Sequence, residues 1–156
     1  MPSMKLSPGL AVAALALMTA LPAAAQFRNA EAAIKYRQSV MTVKGNHLAR
    51  VFAMTNGQVP FDAKVAAENI EVVSMLSGNA QFAAFAVDGS DKGNTRAKAE
   101  VWTEKDKFSA AITKSQEDVA KLVAAGKTGN LDQIKAAAGA VGASCKACHD
   151  AYQKPQ

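Results

Sequence analysis

Residues 142–152 read GASCKACHDAY and hold both cysteines of the 156-residue chain, Cys145 and Cys148, with His149 directly behind the second. Two thiols and an imidazole at this spacing suit few kinds of chemistry. A structural zinc site needs four ligands, and the other histidine, His47, is far away in sequence. A thioredoxin-like Cys-x-x-Cys belongs between a strand and a helix N-terminus, and no strand pattern precedes this one. A disulfide between helical positions three apart would be strained and would leave His149 without a role.

Covalent haem attachment uses all three residues, and Cys-x-x-Cys-His is its sequence pattern. The two thiols add to the two vinyl groups on one side of a porphyrin, and the next residue sets an imidazole nitrogen under the iron. In this reading Cys145 and Cys148 are the thioether positions and His149 is the metal ligand of one haem c.

The elements that must position these residues are helical. Alanine is abundant and β-branched runs are absent, which favours helix. The spacing predicts a first helix over 30–54, capped by Asn29, with Ile34, Met41, Leu48 and Phe52 inward. Gly57 and Pro60 break it. Asp62 caps a second helix over 63–77 that buries Val65, Val72, Val73 and Leu76. Residues 78–97, with Gly78, Gly89 and Gly93, form the longest loop, containing a short helical turn around Phe82 and Phe85. A third helix over 98–125 carries Val101, Phe108, Ile112, Val119 and Leu122 on one face. Asn130 caps the fourth, which runs through Ile134, Ala138, Val141, both cysteines and Tyr152. The expected fold is all-α: an antiparallel up-and-down four-helix bundle whose stability comes from the shared core.

Residues 1–25 have the marks of a cleaved secretory signal: Lys5, an apolar run from Leu10 to Met18, and the small residues 23–25. The run is too short to span a bilayer, which takes about 20 apolar residues. Cleavage after Ala25 leaves residues 26–156 as one domain, exported to a bacterial periplasm and not held on a membrane. Export fits the motif, because haem c is attached outside the cytoplasm. The formal charge is +5, one less without Lys5, and Lys and Arg are interleaved with acids. No dense basic face argues for nucleic acid.

KYRQSVM at 35–41, AEVW at 99–102 and VGASCKACHDAY at 141–152 together resemble the cytochrome c′ family, the class II c-type cytochromes. That family is itself a standard example of the up-and-down bundle. The resemblance implies that Arg37 and Gln38 lie near the haem propionates and that Met41 stands over the open iron face. Gly45 makes room for the flat ring one turn later, and Phe82 and Trp102 pack around haem or core. It also implies a homodimer through the first two helices, to which Val43, Val51 and Val59 could contribute. One departure is Gln153, at a position where many members carry a basic residue; it can hydrogen-bond but holds no charge.

The resemblance implies an open sixth position on the iron, in a pocket of methionine and aliphatic groups without acid or base. Such a pocket solvates charge poorly and favours small neutral diatomics, nitric oxide and carbon monoxide, with electron transfer to an unidentified periplasmic partner. The competing reading is a low-spin electron carrier with Met41 as sixth ligand, which raises the reduction potential. A peroxidase-like enzyme would need a distal acid–base group. His47 lies about one and a half turns beyond Met41 and faces another side, so the expectation is a binding protein and not an enzyme.

Overall fold

A computed structural model describes residues 27–155. The expected signal at 1–25 lies outside the described residues. Helices α1 (Ala30–Thr55), α2 (Ala63–Met75), α5 (Lys105–Thr128) and α6 (Leu131–Tyr152) are the long ones, with α3 (Asn79–Ala83) and α4 (Glu100–Thr103) short. α1 packs on α2, α2 on α5, α5 on α6 and α6 back on α1, closing an all-α four-helix bundle. Among the described residues no strand forms; the one β-like contact is an antiparallel bridge between Ala97 and Gln153.

The helix starts follow the predicted caps. Asn29 accepts from Ala32 N, Asp62 from Lys64 N and Val65 N, and Asn130 from Gln133 N. Each such cap is worth about 1 kcal/mol. Gly129 ends α5 at φ 65°, a left-handed conformation that glycine takes without a Cβ penalty. This tight turn brings α6 straight back along α5.

Two expectations about the helices need correction. The predicted helix over 98–125 is interrupted at Glu104, whose φ −113° and ψ 49° are not helical. Its start is drawn elsewhere: Lys98 N donates to Tyr152 O at 2.9 Å, tying this segment to the end of α6. In α2 the buried face is Ala66, Asn69, Ile70 and Val73; Val65 is exposed, and Val72 and Leu76 are half-buried. Ile70 sets that rotation. It fits against Gly126 of α5, where an added Cβ would stand 3.0 Å from Ile70 Cδ1.

The core has two main parts. One contains Val51, Ile70, Val73, Leu122, Ile134 and Val141, with Cys145 packed against it. The other contains Val101, Phe108 and Tyr152, with Phe82, Phe85 and Cys148 around them. Phe108 centres the second, with ring centroids 5.2 Å from Phe85 and 5.0 Å from Tyr152, both edge-on as aromatic quadrupoles prefer. The two cysteines thus lie on the boundary between the cores. Val51, expected at a dimer surface, is fully buried within the first core, whereas Val43 and Val59 are exposed. No helix among the described residues is long and apolar enough to cross a membrane.

Candidate cofactor-binding site

Two cavities, of 270 and 130 Å³, are walled by α1 and α6 and share Met41, Phe82, Cys148 and His149. The larger, outer one is bordered by Arg37, Gln38, Thr95 and Arg96, with Phe85, Phe108 and Tyr152 as aromatic wall. The smaller, inner one is bordered by Leu48, Val73, Val119, Val141 and Cys145, with Lys44 and Gly45 on the α1 side. The structure therefore brings together all six sequence-predicted site residues. Met41 and Phe52 of the expected inward stripe are only half-buried, and Met41 lines both cavities instead of filling the core.

Gly142 sets how close α6 comes to α1. An added Cβ there would stand 3.0 Å from Phe52 Cζ. The C-terminal end of α6 is fixed by the segment before α4. Lys154 N donates to Arg96 O at 2.8 Å, the Arg96 guanidinium donates to Lys154 O, and Lys98 Nζ donates to Asp150 O and Ala151 O. The Lys98 ammonium thereby meets carbonyls of the last turn of α6, the favourable end of the dipole for positive charge, and Arg96 clasps Lys154 just beyond that end. They hold the turn that carries His149.

His149 is exposed as a residue, yet its ring forms part of both cavity walls. Burial of the imidazole, then the Lys44 and Arg96 charges, hold its pKa below the ordinary histidine value, opposed by Asp150. A neutral imidazole is the form that ligates a metal. Gln153 brings no charge, but Arg96 supplies one from another element. Burial also raises the Cys148 thiol pKa, helped by Cys145 and opposed by Lys44.

Arg37 is 4 % exposed. It does not extend to solvent. Its guanidinium donates to Ser90 O at 2.6 Å, Thr95 Oγ1 at 2.8 Å and Ala84 O at 3.5 Å, and lies 4.5 Å over the Phe85 ring. Three of its five N–H donors therefore fasten the 79–95 loop to α1. Gln38 is exposed and donates to Asn94 O at 2.9 Å. Trp102 Nε1 donates to Phe85 O at 2.8 Å, a packing role behind the aromatic wall. His47 borders neither cavity; its Nδ1 sits 2.8 Å from Asn69 Oδ1 on α2.

Sequence reasoning missed Lys44, which is buried and lies on the inner cavity wall. The pocket is therefore not without an acid. Lys44 stands three positions after Met41, a spacing that shares a helix face, and that signal was available. Arg96 was also missed, because only the return of the loop to α6 brings it to the cavity.

These walls fit haem c and not the other chemistries. Both cysteines are free and half-buried; Cys148 borders both cavities and Cys145 the inner one. They lie late in α6, not at a helix N-terminus as a redox pair requires. Among the described residues no three His, Cys, Asp or Glu side chains gather to hold a metal ion directly. A Cβ on Gly45 would meet no atom within 4 Å, so the α1 wall leaves open space where a flat ring can lie. Apolar walls, an outer end with two arginines, two thiols and one imidazole match a porphyrin with its anionic propionates.

Residues 32–153 match the family model described as Cytochrome C′. The chain is 52 % identical to cytochrome c′ of Rubrivivax gelatinosus over 130 residues, 83 % of this chain and 99 % of that one. The crystal structure of that relative superposes with a TM-score of 0.79, covering 83 % of this chain and 100 % of the other. A nitric oxide complex of a cytochrome c prime variant from Alcaligenes xylosoxidans, 42 % identical, gives 0.76 over 83 % and 99 % of the two chains. A carbon monoxide-bound variant from the same organism, again 42 % identical over 83 % and 99 % of the two chains, also gives 0.76.

Proposed function

The chain belongs to the cytochrome c′ family, and we propose that it is a periplasmic haem c protein whose iron, held by His149 alone, binds small neutral gases. The observation that carries this reading is the meeting of Cys148, His149 and Met41 on the walls of both cavities. Haem c supplies an iron that can bind a gas and change its charge by one electron. The chain's residues do the rest.

Cys145 and Cys148 hold the ring by two thioethers, and His149 from the same helix provides the imidazole. Arg37 and Gln38 stand at the outer end, where propionates would find cationic and amide donors; Arg37 retains free N–H groups beyond those spent on the loop. Met41, on the other helix, packs against the space across from α6. A thioether is a weak acceptor and offers nothing to a neutral diatomic except shape. The relatives solved with nitric oxide and carbon monoxide support a gas-binding role for this chain. Lys44 is a lone cationic donor on the inner wall and His47 is turned to α2, so neither reads as the acid–base pair of a peroxidase. The chain acts as a binder of gas, with electron transfer to a periplasmic partner as its second capacity, and a homodimer through Val43 and Val59 is the assembly we propose.

Two spectra test the reading. The reduced holoprotein should form a carbon monoxide complex with a shifted visible band. The ferric form should give a high-spin paramagnetic resonance signal. A low-spin ferric signal with a methionine-to-iron charge-transfer band would assign Met41 as sixth ligand and overturn the open site.

A further inference from the structure

The inner cavity holds a charge that the neutral-gas reading does not use. Lys44 is 9 % exposed, and its Nζ donates to Gln81 Oε1 at 3.3 Å. With the Gln81 amide turned so that its nitrogen donates to Leu76 O at 3.0 Å, its oxygen accepts from Nζ at 3.1 Å. Either way Lys44 has one neutral oxygen for three ammonium hydrogens, and beside it only the Phe82 ring, whose centroid is 6.0 Å from Nζ. No Asp or Glu borders this cavity, and Lys44 takes part in no ion pair among the described residues. A buried charge with so little compensation costs several kcal/mol in general, as an order of magnitude.

We propose that Lys44 makes the inner cavity a site for small iron-ligating anions, of the class of azide and nitrite, in addition to neutral gases. The inference rests on the His149-ligated haem reading and deepens it. Lys44 and Met41 share a face of α1, while His149 stands on α6, so an anion bound by haem iron in the cavity between the two helices would lie beside the helix that carries the ammonium. Haem attachment converts Cys145 and Cys148 to neutral thioethers and brings no carboxylate to this end if the propionates lie with Arg37. The ammonium therefore still lacks a counter-ion when haem is bound. An anion entering there exchanges its hydration for a charge partner and up to two free N–H donors, at a place where low polarity strengthens both. A neutral diatomic gains much less from the same group. Lys44 is thus a specificity-determining residue that widens the ligand range beyond what the methionine and aliphatic walls allow.

The test uses purified holoprotein and begins with a pyridine haemochrome assay, which establishes one covalent haem. Its failure would sink the haem reading itself and is distinct from the outcomes below. Ferric protein is then titrated with sodium azide at pH 7 and followed by its visible spectrum, and ferrous protein with carbon monoxide. We expect saturable azide binding in the natural protein. In Lys44→Met the ratio of azide to carbon monoxide affinity should fall by about tenfold or more, the scale of losing one buried charge partner. Lys44→Gln, which keeps a donor and loses the charge, should fall between. Circular dichroism checks that each variant folds, and Lys44→Gln carries the test if Lys44→Met does not. No azide binding to the natural protein, or an unchanged affinity ratio in the variants, would overturn the proposal.

Discussion

Arg37 and Lys44 lie seven positions apart on α1, two turns along one face, and both are buried cations on the wall of a cavity. Their hydrogen-bonded surroundings differ. Arg37 meets three oxygens and an aromatic face, so its charge is compensated before any ligand arrives. Lys44 meets a single amide oxygen, with the Phe82 ring centroid 6.0 Å from its Nζ. The outer end of the site is built to be stable, with a cation whose planar fork clamps a loop. The inner end is left under-compensated, and a group in that condition is more informative about ligands than about folding.

The largest expected effect removes the boundary both ends share. In a Cys145→Ala, Cys148→Ala double variant, covalent haem measured after acid extraction should be abolished, because the thioethers have no other thiol to form from. Retained covalent pigment would mean that the two ends do not enclose haem c.

Next, Arg37→Met should destabilise the protein by about 3 kcal/mol, the scale of a buried charged network losing its donor. Urea unfolding followed by circular dichroism reads this directly, and a cost below about 1 kcal/mol would erase the contrast with Lys44. The comparison predicts the opposite sign for Lys44→Met. In haem-free protein that exchange should be neutral or raise stability by about 1 kcal/mol, since a poorly compensated buried ammonium is replaced by a side chain of similar length. A loss as large as that at Arg37 would show that Lys44 is a second structural clamp.

Gly45→Ala sharpens the inner end further. Helix propensity alone should add about 1 kcal/mol to the haem-free protein, because the new methyl meets nothing. If the holoprotein gains less than the haem-free form in the same melts, the ring reaches this wall.

The smallest effect calibrates the comparison with a charge that is fully partnered. Asp118 is buried, receives Lys114 Nζ at 2.6 Å and has Lys121 nearby. The Lys114 hydrogen bond leads the causes that hold its carboxyl below the ordinary aspartate pKa, against the opposing effect of burial. A depressed folded-state pKa contributes stability above the unfolded pKa, which is lost as pH falls through the folded value. Asp118→Asn should therefore cost about 1 kcal/mol or less at pH 7, since both lysines are largely exposed. The cost should disappear in acid, as pH-dependent urea melts can check.

Much of the scaffold was legible because helix signals are local. Asn29, Asp62 and Asn130 each accept from backbone N–H groups within three residues of themselves, so the starts of α1, α2 and α6 needed no knowledge of the fold. No glycine or proline marks the break at Glu104, and the tie from Lys98 N to Tyr152 O was not legible because its two partners lie far apart in the chain. Val51 and Val65 were misplaced for a related reason. Valine reads the same on a core face and a surface face, and small residues decide which is which. Gly126 admits Ile70 and so turns Val65 outward.

By itself the sequence determined the haem-attachment motif, the helical class and the order of the main helices, because each depends on residues close together in the chain. Only the tertiary structure decided what each buried cation faces. Oxygens from Ala84, Ser90 and Thr95 reach Arg37 across a long loop, while Lys44 receives one from Gln81. Charge compensation acts over a few ångströms of space and is indifferent to distance along the chain, so nothing in the spacing of α1 could announce it.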